Sequence, residues 1–521
     1  MPTTSLPKLE VRGLDYAQDH ILSAPTLVFS VGRRPTTDDP DGPRRLIPAV
    51  DAALARRADG PDVDALDISF VYGVCRGQYA ALQSQAGYAL RHGHAADITS
   101  AHLSAWLRFA ARRVTGSFAL AVPPVPPAAP STLPLCVKRD TSLEARLPAT
   151  ARAETMSLAL ATATLAVPAA RAGAFHALTD LLLSQATLRA EADAHNLGLL
   201  LSSCCSPRLR RLRLEHIDGL ATLRLDAACT LQELRLLHVP DLSSLELYAR
   251  GLRALHIESC PSMSSLEGTA RISAPRLESL VFGDVCGPDR LELTGAASVR
   301  RLGKLHLWSH CLPDTNGAAV GLLQRCAAAE SVDLTLMPPI GEHWTAGHEV
   351  MSLLPQLPRV ASLNLDAWTS VHIGYAAHRL GRSVATLVAR CSNVQRLQIA
   401  FTYWDGGCSD PDCFCRQGDN NGAMGMSLER LREAKITGFR PSLDDQASLV
   451  RLLVASAPGL ETMTLELCDT EGAPDLEMVP CDRGHWSCVS DSGSWIYTWT
   501  PEMPSGEQQD EEEASGSCYV M

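Results

Sequence analysis

Between Leu209 and Ile257 the apolar positions repeat one phrase. It reads Leu209-Arg-Arg-Leu212-Arg-Leu214, Leu220-Ala-Thr-Leu223-Arg-Leu225, Leu231-Gln-Glu-Leu234-Arg-Leu236, Leu242-Ser-Ser-Leu245-Glu-Leu247 and Leu252-Arg-Ala-Leu255-His-Ile257. The second half of each phrase alternates apolar, polar, apolar, which is the period-two signature of a strand with one buried face. The phrase continues more loosely at Leu277-Glu-Ser-Leu280-Val-Phe282. Starts fall at 209, 220, 231, 242 and 252, so the steps are 11, 11, 11 and 10.

The LxxLxL phrase is the strand signature of a leucine-rich repeat, whose coils take about 20 to 29 residues. A coil holding a six-residue strand cannot close in 11 residues. The period is therefore about 22, with two strands in each coil. Odd phrases should share one sheet and even phrases the opposite one. Pro207, Pro240, Pro261 and Pro275, with Gly219 and Gly251, mark the corners. The expected fold class is α/β: a leucine-rich-repeat solenoid or horseshoe, two-stranded in the middle and built of helix-strand repeats toward the C-terminus.

Those later repeats are longer. Gly317 to Ala329 reads as a helix before Val332-Asp-Leu334. Glu349 to Leu354 precedes the strand at Val360 to Leu365, and Ala376 to Cys391 the strand at Val394 to Ile399. Leu449 to Ala457 precedes Leu460 to Leu465. Cys326, Cys391 and Ala457 take the same place before their strands, as small residues at a packed corner. Toward the N-terminus, Pro48 to Ala58 reads as a helix with Pro in its first turn, and Ser100 to Arg113 as a helix with Ser100 as N-cap. Val63 to Ile68 is a degenerate copy of the phrase. Pro123 to Pro134 reads as an extended connector, Cys481 to Pro501 as an aromatic-rich terminal hairpin, and Glu507 to Glu513 as a disordered acidic run.

In LxxLxL the leucines point inward and the intervening residues face solvent. A partner-binding surface is therefore expected on one row, with Arg211, Arg213, Glu233, Arg235 and His256 as its named residues and Ala254 among them. The opposite row carries Thr222, Arg224, Ser244 and Glu246. The plainer alternative makes both rows ordinary solvated positions.

Composition changes this picture little. Hydrophobic residues make up 46% and aromatics 5%, so the core must be aliphatic, as thin stacked layers require. The formal net charge of -12 argues against nucleic acid as a partner, because phosphate binding needs a basic footprint. Met1 to Asp19 shows no basic segment followed by an apolar run, and no stretch of about 20 apolar residues suggests a membrane span. With 17 irregularly spaced cysteines, the expected compartment is reducing, cytoplasm or nucleus, with the thiols mostly packed as small apolar groups.

Chemistry-bearing motifs are sparse. Cys408, Cys413 and Cys415 have three thiols at x4 and x1 spacing but no evident fourth zinc ligand. An uncommitted loop and a small zinc site stay open there, with the loop preferred. His348-Glu349 lacks the second His of a zincin helix, and the Gly422/Gly425 loop lacks a phosphate cradle. No catalytic residue, cofactor or metal ligand is assigned, and a non-enzymatic protein is expected.

Two C-terminal segments carry a family resemblance. Ser427-Leu-Glu-Arg-Leu-Arg-Glu-Ala-Lys-Ile-Thr-Gly-Phe439 is similar to an LxxLxEVxIxGF-like strand. Leu453, Ala457, Pro458, Leu460, Glu461 and Met463 match a helix end of the form NAPxLExM. Together they resemble the FBD region of plant, grass-type F-box/leucine-rich-repeat proteins. Ser206 to Leu220 is similar to their repeat style, and the resemblance covers roughly residues 20 to 500. It implies the substrate-recognition part of an adaptor of Skp-cullin-type ubiquitin ligases, with an unknown protein as client. The family's opening LP-x-DxL box is not matched by Leu6-Pro7-Lys-Leu, while His20 to Phe29 is similar to the stretch just after a box. A Skp-type adaptor is then a partner only if a box lies upstream. The alternative is a repeat scaffold or decoy with no ligase link. The expected organisation is a post-box remnant (1–30), an irregular repeat region with its Pro-rich connector (31–134), the leucine-rich-repeat domain (135–426), an FBD-like terminal repeat (427–467), an aromatic-rich extension (468–503) and the acidic tail (504–521).

Overall fold

The computed structural model describes residues 8–11, 24–30, 42–70, 98–122, 143–283, 287, 289–308, 316–338, 354–369, 379–402, 426–440, 443–467, 484–491 and 494–502. The Pro-rich connector, most of the helix expected at 349–354, His348-Glu349, the Cys408–Cys415 cluster, the Gly422/Gly425 loop and the acidic run lie outside these residues. The chain is α/β and strand-dominated, and it divides into two compact units. One comprises Met1–His306 with Gly317–Ala329, the other Leu307–Asn316 with Glu330–Met521.

The first unit is built on a long parallel ladder. It runs β1 (Lys8–Val11), β2 (Thr26–Ser30), β3 (Val63–Ser69), β4 (Val114–Val122), β6 (Thr155–Ala166), β7 (Asp180–Thr187), β8 (Arg211–Asp218), β10 (Glu233–Leu237), β12 (Ala254–Glu258), β14 (Ser279–Phe282) and β16 (Arg301–Trp308). The short β5 (Glu144–Arg146) pairs with the far end of β6. A second parallel sheet holds β9 (Thr222–Ala228), β11 (Ser244–Ala249), β13 (Thr269–Ser273) and β15 (Leu291–Thr294). Through the five phrases the chain alternates between these sheets. Leu212 lies opposite Leu234, and Leu234 opposite Leu255. Leu223 lies opposite Leu245 in the other sheet. The inward leucines of all five phrases are buried.

One turn starts the strands. The N–H of the first apolar residue donates to the carbonyl three residues back, as in Leu209 to Ser206 (3.2 Å), Leu242 to Val239 (3.2 Å) and Leu252 to Ala249 (3.1 Å). The next two N–H groups then share one carbonyl just ahead of the neighbouring strand in the sheet, as when Gln232 and Glu233 both donate to Arg210 (2.8 and 3.0 Å). This satisfies donors that the corner would otherwise orphan.

Among the described residues, five helices accompany the first unit. α1 (Gly42–Arg57) and α2 (Ser100–Arg113) accompany the N-terminal strands, and the indole N–H of Trp106 donates to Asp51 Oδ1 (2.7 Å). α1 starts six residues before the expected Pro48, which therefore lies inside the helix. The N-cap of α2 is Thr99, not Ser100. Thr99 has extended backbone and its Oγ1 accepts from the N–H of His102, while Ser100 Oγ accepts instead from the N–H of Glu144 (2.7 Å). α3 (Glu191–Leu201) packs along β9. α4 (Pro261–Ser264) is one turn at a corner, and α5 (Gly317–Arg325) sends Arg325 to the carbonyl of Leu291 (2.6 Å) on β15.

The second unit repeats the logic. β17 (Ser331–Met337), β18 (Ser362–Trp368), β19 (Arg396–Thr402), β20 (Glu433–Phe439) and β21 (Thr462–Leu467) pair in parallel. β21 then pairs antiparallel with β23 (Ser494–Pro501), which forms a hairpin with β22 (Gly484–Asp491). The entry turn recurs at Val394 to Cys391 (3.1 Å) and Leu460 to Ala457 (3.2 Å). Cys391 and Ala457 are buried at those corners. α6 (Gly381–Val388) and α7 (Asp444–Ser456) pack together, and the N–H of Gly381 donates to Asp445 Oδ2 (3.1 Å). α6 is shorter than the expected 376–391 helix, and α7 begins five residues before Leu449.

Candidate interaction face

The strands β8, β10 and β12 place the expected residues on one surface. Their buried positions are Leu212, Leu214, Leu234, Leu236, Leu255 and Ile257, so the alternate positions face outward. In the first outward row Asp180, Arg211, Glu233 and Ala254 lie successively opposite one another. In the second the order is Leu182, Arg213, Arg235 and His256. All five named residues, Arg211, Arg213, Glu233, Arg235 and His256, therefore lie on neighbouring strands.

Two guanidinium groups opposite each other would repel. Glu233 answers both, reaching Arg235 Nε at 2.5 Å and Arg213 at 3.5 Å. Arg211 is ion-paired with Asp180. His256 meets Glu258 at 2.8 Å, and Lys304 Nζ reaches the same carboxylate at 2.6 Å. Burial pushes the Glu258 carboxyl up, but the hydrogen bonds and charges of Lys304 and His256 outweigh it and hold the group below the usual carboxylate range. The side chains of Arg211, Arg213 and Arg235 keep 56%, 38% and 41% of their surface, so each stays accessible beside its ion pair. Such exposed pairs contribute little to stability, typically about 0–1 kcal/mol.

Asp180, Leu182, Glu258 and Lys304 were missed by reading outward positions of the five leucine phrases alone. The signal for β7 is present as Leu178-Thr-Asp-Leu181-Leu-Leu183, one more copy of the phrase upstream of the five. Lys304 had no such signal. It sits at φ 56°, where β16 leaves the regular alternation.

The opposite sheet is arranged differently. Arg224 pairs with Glu246 at 3.4 Å, and Arg271 with Glu292 at 2.8 Å, in alternation across β9, β11, β13 and β15. Opposite charges on adjacent strands compensate one another there. On the main sheet, His216 near the end of β8 and His238 just after β10 stack face to face, with ring centroids 4.4 Å apart. Burial, and then the neighbouring His238, lower the His216 imidazole to about 4.

Among the described residues no group of three or more His, Cys, Asp or Glu side chains could hold a metal ion, and no helix is long and apolar enough to cross a membrane. Compared with protein-family models and with curated proteins, the chain matches none.

Proposed function

We propose that this chain is a non-enzymatic protein-interaction module, built as a leucine-rich-repeat solenoid with two strands in each coil of about 22 residues through its middle and helix-strand repeats toward its C-terminus. The observation that carries this reading is the register of the five phrases. Leu212, Leu234 and Leu255 follow one another across a single sheet, and each strand adds two outward side chains to the same surface. The main-sheet face with Arg211, Arg213, Glu233, Arg235 and His256 is the recognition surface. Its uneven charge favours it over the opposite face, where the cross-strand pairs compensate one another.

On the family resemblance of residues 427–463, the client would be a protein selected for a Skp-cullin-type ubiquitin ligase. The alternative is a repeat scaffold or decoy with no ligase link. The free thiols of Cys204, Cys205, Cys229, Cys326, Cys391 and Cys488 fit a reducing compartment, cytoplasm or nucleus. Affinity purification of the full gene product separates the two readings. A Skp-type adaptor retained together with a client supports the ligase reading. A client retained without any adaptor supports the scaffold. Client binding that survives charge reversal of Arg213 and Arg235 would refute the assigned face.

A further inference from the structure

The chain leaves α3 through Ser202-Ser203-Cys204-Cys205-Ser206, and this exit is tied down by its backbone. The carbonyl of Cys204 accepts from the N–H of Gly173 (2.8 Å), and that of Cys205 from the N–H of Phe175 (2.9 Å). Just before them, the N–H of Ser203 donates to the carbonyl of Asp226 on β9 (2.8 Å). The two thiols are held side by side, with Sγ atoms 3.5 Å apart. Cys204 is exposed, while Cys205 keeps 1% of its surface.

We propose that Cys204 and Cys205 form a chelating site for one thiophilic centre, and that the class of ligand it takes is a trivalent arsenical. Distance decides between the chemistries open to neighbouring thiols. Two thiolates at about 2.3 Å from one centre lie roughly 3.3 to 3.8 Å apart as the angle between the bonds opens from a right angle, near that of pyramidal trivalent arsenic, to tetrahedral. A disulfide needs its sulfurs at about 2.05 Å. The observed 3.5 Å is close to the first spacing. The second needs a much larger approach within an eight-membered ring, across a peptide whose flanking carbonyls are both bonded. Structural zinc takes four protein ligands, and no group of three or more suitable side chains exists among the described residues. A centre satisfied by two sulfurs and a group it already carries fits better.

Burial, and then Cys204, raise the Cys205 thiol to about 11, so it keeps its proton at neutral pH. An oxo-arsenical accommodates this. Two S–H bonds and the arsenic–oxygen double bond break, two arsenic–sulfur bonds form, and the oxygen leaves with both protons as one water. Arsenic stays trivalent and no oxidant is needed. Exposed Cys204 bonds first, and Cys205 closes the chelate.

The test uses the full reduced chain with phenylarsine oxide and an excess of glutathione, which strips single-thiol adducts. Digestion and mass spectrometry then locate what remains. One phenylarsenic group is expected on the peptide that contains both cysteines, with loss of both thiol protons. Cys204→Ala, at an exposed position, and Cys205→Ala should each reduce that adduct at least ten-fold. Cys229→Ala, which removes an exposed cysteine elsewhere, should leave it unchanged. An unmodified peptide, an adduct undiminished in Cys204→Ala, or recovery of the peptide as an internal disulfide would each overturn the site. None of these outcomes bears on the interaction face.

Discussion

At the scale of single residues, the chain repeats an unusual backbone conformation. Gln185, His216, His238 and Ser259 have φ of 54°, 54°, 53° and 58°. Each stands four residues after a buried apolar position: Leu181, Leu212, Leu234 and Leu255. A left-handed non-glycine residue costs about 1–2 kcal/mol. The conformation recurs at one rung of neighbouring strands: β7 and β8 pair on both sides of it, while β10 and β12 end just before it. This stacking of equal backbones brings His216 against His238. The folded His216 imidazole titrates at about 4, below the usual value of about 6.5. Its contribution to stability is therefore complete above pH of about 6.5 and is lost as the pH falls toward 4. Asp218 works in the opposite sense, because burial and then Asp241 raise its carboxyl. We expect the thermal midpoint to fall between about pH 7 and about pH 5. His216→Asn, which tolerates the left-handed backbone, should flatten that fall when melting is followed by circular dichroism. Gly219 gives a second residue-scale test. At φ +76°, a Cβ there would lie 1.9 Å from the carbonyl oxygen of Leu188. Gly219→Ala should destabilise the chain by about 2 kcal/mol or more, against about 1 kcal/mol for Gly173→Ala, where φ is +71° but the space is open. Equal losses in chemical denaturation would contradict this account.

At the scale of elements, the small sheet has two edges to protect, since an open strand edge invites pairing with another chain. α3 covers β9, and a Cβ on Gly198 would stand 2.5 Å from the carbonyl oxygen of Arg224. Ser202 Oγ accepts from the N–H of Asp226 (3.0 Å), and Ser203 bonds its carbonyl. Arg325 occupies a carbonyl of β15 at the other edge. Gly198→Ala should push α3 from β9, cost about 1–3 kcal/mol, and speed amide exchange in residues 222–228. Unchanged exchange there would show that the contact does not protect the edge. In the main sheet, Leu234→Ala removes a fully buried side chain and should cost about 2–5 kcal/mol by urea denaturation. Strand positions were legible where leucine fills every inward place. They were less legible where Thr115-Gly-Ser-Phe118-Ala-Leu120 of β4, or Ala153-Glu-Thr-Met156-Ser-Leu158 of β6, fills the same places with small residues or other apolar side chains. Packing there asks for volume and burial rather than for leucine. Helix boundaries were less legible still. Thr99 caps α2 because His102 completes the reciprocal pair, and the Glu/Gln rule for capping boxes does not anticipate histidine.

At the scale of the whole molecule, a chain of formal net charge -12 presents three arginines close together on its main sheet. We expect Arg213→Glu with Arg235→Glu to leave folding intact, because both side chains are more than a third exposed. The pair should weaken client binding at least ten-fold by surface plasmon resonance, about 1.4 kcal/mol. Arg224→Glu on the opposite sheet serves as the control, and an equal loss there would remove the distinction between the faces. The sequence by itself determined which residues of the five phrases face inward and that phrases about 22 apart would be neighbours, because period-two burial and the spacing of the phrases are local properties of the chain. Only the tertiary structure decided which charges meet: that Glu233 holds both Arg213 and Arg235, that Lys304 reaches Glu258 46 residues away, and that Cys204 and Cys205 are pinned with their sulfurs in contact. Those pairings depend on register between strands and on turns that displace it, and no single segment contains that information.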